Sequence, residues 1–201
     1  MRIFVKRLST EKNELLLAAQ ALQQGALVAF PTETVYGLGG SITHIDALTR
    51  IFAVKKRPSF DPLIVHVATL QDAPEIADFT LPYAETLALA FWPGPLTLVL
   101  PKKRGVPDLV TSGLPTVAIR CPSHPLAQEL LTLAKVPVAA PSANPFGRLS
   151  PTTAEHVEEG LGDSIDFLID GGACTLGVES TVVDLSIDPP LVLRPGGISY
   201  E

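Results

Sequence analysis

The run Ala26-Leu-Val-Ala-Phe-Pro-Thr-Glu-Thr-Val-Tyr-Gly-Leu-Gly-Gly40 constrains the fold more than any other stretch of this 201-residue chain. Leu27 to Phe30 is a short, unbroken apolar run, the pattern of a strand buried on both faces. Pro31 has no N–H to give to a ladder, so pairing is expected to stop there. Thr32 to Gly40 then reads as a hydroxyl- and glycine-rich loop beyond the strand's carboxyl end, where open α/β sheets place ligands. A solvated turn after an ordinary strand fits the same residues.

The remaining sequence repeats this alternation of short apolar runs and helical periodicity. A helix capped by Ser9 or Thr10 is predicted to run to about Gln24, stopped by Gly25, with Leu15, Leu16, Ala19 and Leu22 on one face. A second, Asp46 to Lys55, delivers Lys55-Lys56-Arg57 to its C-terminus before Pro58; there the cations suit the helix dipole as well as a ligand. Further helices are expected from Leu81-Pro82 to Trp92, over Pro125–Ala134, and over Thr153–Glu159 with a Thr152/Glu155 capping box. Strand-like runs occur at 63–67, 96–100, 117–120, 136–140, 167–169, 181–185 and 191–193.

The pattern predicts an α/β fold, an open twisted mixed β-sheet with flanking helices. Closely spaced strands around Asp188-Pro189-Pro190 imply an antiparallel part. No repeat or low-complexity linker divides residues 1–201, so one domain is expected, with no second domain in this chain. A hydrophobic fraction of 46% is enough to form its core.

Charge and motifs remove several classes of function. A net charge of −6 argues against whole-surface binding of nucleic acid or anionic membrane, although Lys55-Lys56-Arg57 and Lys102-Lys103-Arg104 concentrate positive charge locally. Neither a signal peptide nor a membrane span of roughly 18 apolar residues is evident. Cys121 and Cys174 are far apart with no C-x-x-C, which reads as two reduced thiols in a cytoplasmic protein, with a disulfide as the alternative. Gly37-Leu38-Gly39 starts a dinucleotide fingerprint, but Ile42 stands where glycine is required, and no P-loop exists. His44, His66, His124 and His156 lack metal-site spacing, so no protein-ligated metal is expected.

What remains is a distributed set of polar residues at strand ends and in adjoining loops: Thr32, Thr34, Tyr36, Lys55, Arg57, His66, Arg120, Ser142, Asn144, Ser150, Ser180 and Arg194. Arginine forks hold carboxylate or phosphate, lysine supplies a compact charge, and hydroxyl-rich glycine loops complete an anion nest. Such a set suits a polyanion beside a small zwitterion; scattered surface polar residues are the competing reading. No nucleophile is required where the substrates supply their own.

Ten segments in order extend the argument: Pro31-Thr-Glu-Thr-Val-Tyr-Gly-Leu-Gly39, Lys55-Lys-Arg-Pro58, Pro62-Leu-Ile-Val-His66, Trp92-Pro-Gly-Pro-Leu-Thr97, Ala118-Ile-Arg-Cys-Pro-Ser-His-Pro125, Ala140-Pro-Ser-Ala-Asn144, Ser150-Pro-Thr152, Asp170-Gly-Gly172, Gly177-Val-Glu-Ser-Thr-Val-Val-Asp184 and Leu193-Arg-Pro-Gly196. With these the chain closely resembles the YrdC-like threonylcarbamoyl-AMP synthase family. The resemblance implies a twisted open-sheet fold and synthesis of L-threonylcarbamoyl-AMP from L-threonine, bicarbonate or CO2, and ATP, with release of pyrophosphate. A separate transferase would pass the threonylcarbamoyl group to tRNA. By the same resemblance Thr34, His66, Arg120, Ala140 and Ser180 surround threonine, alongside Thr32 and Tyr36 of the loop. Lys55, Arg57, Asp61, Thr116, Ser142, Asn144, Ser150 and Arg194 surround ATP, Lys55 and Arg57 as the catalytic pair, with Mg2+ carried mainly by ATP itself.

Two features depart from that family's pattern. Asp61 replaces an asparagine of many relatives, and an acid beside a triphosphate repels it unless it binds Mg2+ or faces away. The sequence given ends at Tyr200-Glu201, where two-domain relatives continue. Two other functions are weighed: an RNA-binding module using the two basic triplets, with weak tRNA binding, and carbamoyl-adenylate chemistry as in hydrogenase-maturation carbamoyltransferases.

Overall fold

The computed structural model describes residues 5–199. Ten strands form one mixed sheet: β1 (Lys6–Leu8), β2 (Val28–Phe30), β3 (Gly37–Ser41), β4 (Ile64–His66), β5 (Leu96–Pro101), β6 (Thr116–Arg120), β7 (Val138–Ala139), β8 (Phe167–Ile169), β9 (Thr181–Asp184) and β10 (Leu191–Arg194). Their order is β1-β8-β2-β3-β7-β4-β6-β5-β9-β10. The pairs β1–β8, β8–β2, β4–β6 and β5–β9 are parallel and the others antiparallel, including the expected antiparallel pair β9–β10.

Alternation along the strands divides the helices into two layers. Val28, Phe30, Val138 and Ala140 pack with α1 (Lys12–Gln23) and α5 (Pro125–Ala134). Ala29, Leu38, Val65, Ile119 and Ala139 face the other way, onto α2 (Ile45–Lys55), α3 (Ala84–Phe91), α4 (Asp108–Thr111) and α6 (Ala154–Leu161). In α1, Leu15, Ala18, Ala19 and Leu22 recur at three- and four-residue spacing and are buried. Gly25, at φ +84°, then turns the chain into β2. Pro125 opens α5 while His124 Nδ1 accepts from the Leu126 N–H at 3.2 Å.

The structure corrects several expected boundaries. Gly37–Ser41 is not loop but strand, paired to β2 in a hairpin, so only 31–36 turns. Its side-chain-poor sequence hid it: a Cβ on Gly39 would stand 2.8 Å from the Phe30 ring and 3.1 Å from the Val28 carbonyl. The α1 cap is Glu11, with Ser9 Oγ accepting its N–H at 3.3 Å. Thr153, not Thr152, caps α6 by accepting from His156 N, so no Thr152/Glu155 box forms. The third helix begins at Ala84, two residues after Pro82. Lys6–Leu8 and α4 carry too few apolar positions for periodicity to reveal them.

Candidate active site

Strand direction determines where the polar residues meet. Since β2 and β7 run against β4 and β6, their carboxyl ends lie at opposite edges and cannot gather along one. They meet on a sheet face instead. Register places Arg194 beside Val182, Val182 beside Thr97, Thr97 beside Arg120, and Arg120 beside His66. Paired residues project to the same side, so one row across five strands carries Arg194, Thr97, Arg120 and His66. This is the face that α1 and α5 cover at the β2 end, where Phe30 meets the His66 ring edge-on at 6.4 Å. Beyond those helices it forms a pocket of about 520 Å3, its open mouth included.

Thr32, Thr34, Arg57, His66, Arg120, Ala140, Ser142, Ser180 and Arg194 all line this pocket. The hairpin loop 31–36 leans over it and fixes Arg120. Nη1 of Arg120 donates to Thr34 Oγ1 at 2.9 Å, Nη2 to Glu33 Oε1 at 2.6 Å, and Nε to the Gly94 carbonyl at 3.2 Å. Glu33 Oε2 also accepts from the Ser123 N–H at 3.1 Å, so both carboxylate oxygens are held. A Cβ at Gly94 would lie 2.3 Å from the Phe91 carbonyl oxygen, and only glycine lets that turn present its own carbonyl to Arg120. Three of five guanidinium protons are thereby engaged and two remain for a ligand.

Burial lowers the Arg120 pKa, and the Glu33 charge opposes that shift. Burial, with Arg120 as its neighbour, also pushes His66 down to about 3, so the imidazole is neutral near pH 7. His66 Nδ1 lies 3.3 Å from the Ile64 carbonyl; a proton there leaves Nε2 as an acceptor.

Two further arginines also carry carboxylates. Arg57 pairs with Asp61 at 2.9 Å and donates to the Asp61 and Pro62 carbonyls at 3.0 and 2.8 Å, with its guanidinium 6.0 Å above the Phe146 ring. Asp61 thus rests on a cation. Arg194 holds Glu179 through Nη1, while its Nη2 donates to Ser180 Oγ at 3.0 Å and its Nε to the Ser180 carbonyl at 3.0 Å. Ser180 Oγ is also 2.7 Å from Thr97 Oγ1. Ser150 Oγ donates to Glu179 Oε1 at 2.9 Å.

The other residues singled out in the sequence stand back from the pocket surface. Lys55 is buried beneath it and donates to the Ser142 and Asn144 carbonyls, both at 2.5 Å. Burial first, then Arg57, pulls its ammonium down to about 7, whereas those two carbonyls favour the charged form. Asn144 Nδ2 donates to the Arg148 carbonyl at 2.7 Å, and its buried Oδ1 has no partner among the described residues. The Tyr36 hydroxyl donates to Gly172 at 2.7 Å, bracing the loop from behind. Thr116 begins β6 opposite Pro101, four residues from Arg120.

Sequence reasoning did not assign Glu33, Glu179, Thr97, Gly94 or the apolar wall of Val35, Pro62 and Ile64 to the site. The signal for the acids was their placement inside hydroxyl-rich segments, Thr-Glu-Thr and Val-Glu-Ser-Thr, with isolated arginines elsewhere. Among the described residues no three His, Cys, Asp or Glu side chains gather as a metal cluster, and no helix is long and apolar enough to cross a membrane.

Comparison with known proteins bears on this geometry. The Sua5/YciO/YrdC family model, described as telomere recombination, matches residues 20–196. A threonylcarbamoyl-AMP synthase of Pyrococcus abyssi is 50% identical over 191 residues, 95% of this chain and 56% of that protein. One from Bacillus subtilis is 48% identical over 195 residues, 96% of this chain and 56% of its own. The crystal structure of P. abyssi Sua5 complexed with L-threonine superposes with a TM-score of 0.93 at 48% identity, covering 98% of this chain and 58% of that one. The chain therefore spans little more than half the length of these relatives.

Proposed function

Since this chain belongs to the Sua5/YciO/YrdC family, we propose that it is a nucleotidyltransferase making L-threonylcarbamoyl-AMP from L-threonine, bicarbonate or CO2, and ATP. The observation that carries the reading is Arg120. Its guanidinium is locked on three sides, has two N–H groups left, and stands in one row with His66 and Arg194.

The free part of that fork takes the threonine carboxylate, with Thr34 and Ser180 offering hydroxyls and Thr32 and Ala140 closing the wall. Neutral His66 does not repel an amine and can accept from it through Nε2. The ammonium first gives one proton to solvent; the neutral amine then adds to CO2, its nitrogen releases a second proton to solvent, and a carbamate anion forms. A carbamate oxygen then attacks the α-phosphorus of ATP, and pyrophosphate leaves. Arg57 and Arg194 neutralise charge on the phosphates, and Lys55 acts with Ser142 and Asn144 by fixing the backbone beneath them. Asp61, Thr116 and Ser150 belong to the nucleotide side of the same reading.

Mg2+ would enter with ATP. Each carboxylate near the pocket, Glu33, Asp61 and Glu179, already sits on an arginine, so the donor set fits a cation held by phosphate oxygens better than a protein cage. A cytoplasmic enzyme followed by a transferase acting on tRNA completes the proposal. Among the basic residues, Lys102 is paired with Asp108 and Lys103 with Asp78, which disfavours the RNA-binding reading. The test is pyrophosphate release from ATP, with threonine and bicarbonate each withheld in turn. Release that does not depend on threonine would overturn the reading.

A further inference from the structure

The three arginine–carboxylate pairs of the pocket differ in how firmly the acid is held. Glu33 is 9% exposed at the side chain, and its second oxygen is tied to the Ser123 N–H. Glu179 is 36% exposed and, among the described residues, bonded to two side chains, Arg194 and Ser150. Those are two of the residues that the proposed function sets against the nucleotide. Glu179 also acts electrostatically on Arg57 and on the Lys55 buried beneath the pocket, raising the proton affinity of both. One part-exposed carboxylate therefore occupies a guanidinium and a hydroxyl, with the Arg57 guanidinium within reach of its charge, a donor set that suits a phosphate group.

We infer that Glu179 is a displaceable counter-ion, holding the place of a polyphosphate oxygen on Arg194 and Ser150 until a nucleotide or pyrophosphate enters. The inference rests on the nucleotide reading of the pocket. When a phosphate group arrives, the carboxylate yields Arg194 and turns toward solvent, to which a third of its side chain is already open. When pyrophosphate leaves, the carboxylate returns to Arg194 and competes with rebinding. Glu179 is thus a positioning residue acting through Arg194, with an effect on anion affinity opposite to that of the arginine. Its carboxylate also keeps Arg194 from standing uncompensated, because Arg194 Nε and Nη2 are directed to Ser180 and only Nη1 reaches the acid.

The test compares wild type with Glu179→Gln and Glu179→Ala by calorimetric titration with inorganic pyrophosphate, ATP and L-threonine at one salt concentration. Glutamine keeps the shape and an acceptor for Arg194 but not the charge. The expected result is that both variants bind pyrophosphate and ATP roughly fivefold more tightly, the effect of removing one partly screened like charge. Threonine affinity stays within about twofold, the scatter allowed for a site with no lost contact. Pyrophosphate should inhibit turnover of Glu179→Gln at correspondingly lower concentration. A merely structural role would loosen all three ligands together. Unchanged or weaker pyrophosphate binding in both variants overturns the inference while leaving the proposed function standing. A wild type that binds threonine but neither ATP nor pyrophosphate overturns both.

Discussion

Replacing Glu33 by alanine tests how the pocket is built, because Glu33 and Arg120 are a buried ion pair with side chains 9% and 5% exposed. Removing the acid leaves a guanidinium without its counter-charge and the Ser123 N–H without its acceptor. Breaking such a pair from one side costs about 3–5 kcal/mol. Arg120 keeps Thr34 and Gly94 and faces an open pocket, which places the cost at the lower end, about 3 kcal/mol. For a chain of this size that is a fall in melting temperature of about 6–12 °C. Urea denaturation should show it as a lower midpoint with an unchanged slope. A cycle with Arg120→Met isolates the pair: the double variant should be more stable than the sum of the singles by about 1–3 kcal/mol. Strictly additive losses would refute the claim that Glu33 acts on the pocket through Arg120.

Other perturbations test the remaining parts. Burial lowers the His66 pKa to about 3 in the folded chain against about 6.5 for a solvated imidazole, so the unfolded chain binds the extra proton between those values. Stability should fall as pH drops from 6.5, by about 3 kcal/mol at most from this group by pH 4.5, and His66→Asn should flatten that slope in denaturation curves. Arg120→Lys keeps the charge but not the fork and should raise the KM for threonine at least about tenfold with little change for ATP, the worth of one or two charged hydrogen bonds. Gly39→Ala drives a Cβ to 2.8 Å from the Phe30 ring, 3.0 Å from Val138 and 3.1 Å from a backbone carbonyl; about 1–3 kcal/mol should be lost in thermal or chemical melts.

The sequence revealed most of the elements but little of their assembly. Helices α1, α2 and α5 follow apolar spacing, and strands β2, β5, β6 and β8 stand as short apolar runs between prolines and glycines. β3 escaped because glycines supply no apolar side chains; its pairing depends on Phe30 and Val138 filling the space above it. The residue types and the family resemblance singled out Arg120, His66 and Arg194, the first two on the threonine side and the third on the nucleotide side. Their standing in a single row is a property of register between β4, β6, β5, β9 and β10, which local periodicity does not encode. The same holds for Glu33 and Glu179. Their partners lie 87 and 15 residues away, so only the folded sheet identifies either acid as a counter-ion. Lys55 gives the reverse lesson: a helix-terminal basic triplet suits the helix dipole or a ligand, yet its first residue is buried on two carbonyls beneath the pocket.

The central claim is that this pocket joins threonine, a one-carbon unit and AMP. Incubating the chain with ATP, Mg2+, L-threonine and 13C-labelled bicarbonate, and analysing the quenched mixture by mass spectrometry, tests it most directly. The account predicts an adenylate of threonylcarbamate that carries the label and disappears when threonine is omitted or Arg120 is replaced by methionine. Pyrophosphate formation with no labelled adenylate, or a labelled product lacking threonine, would contradict it.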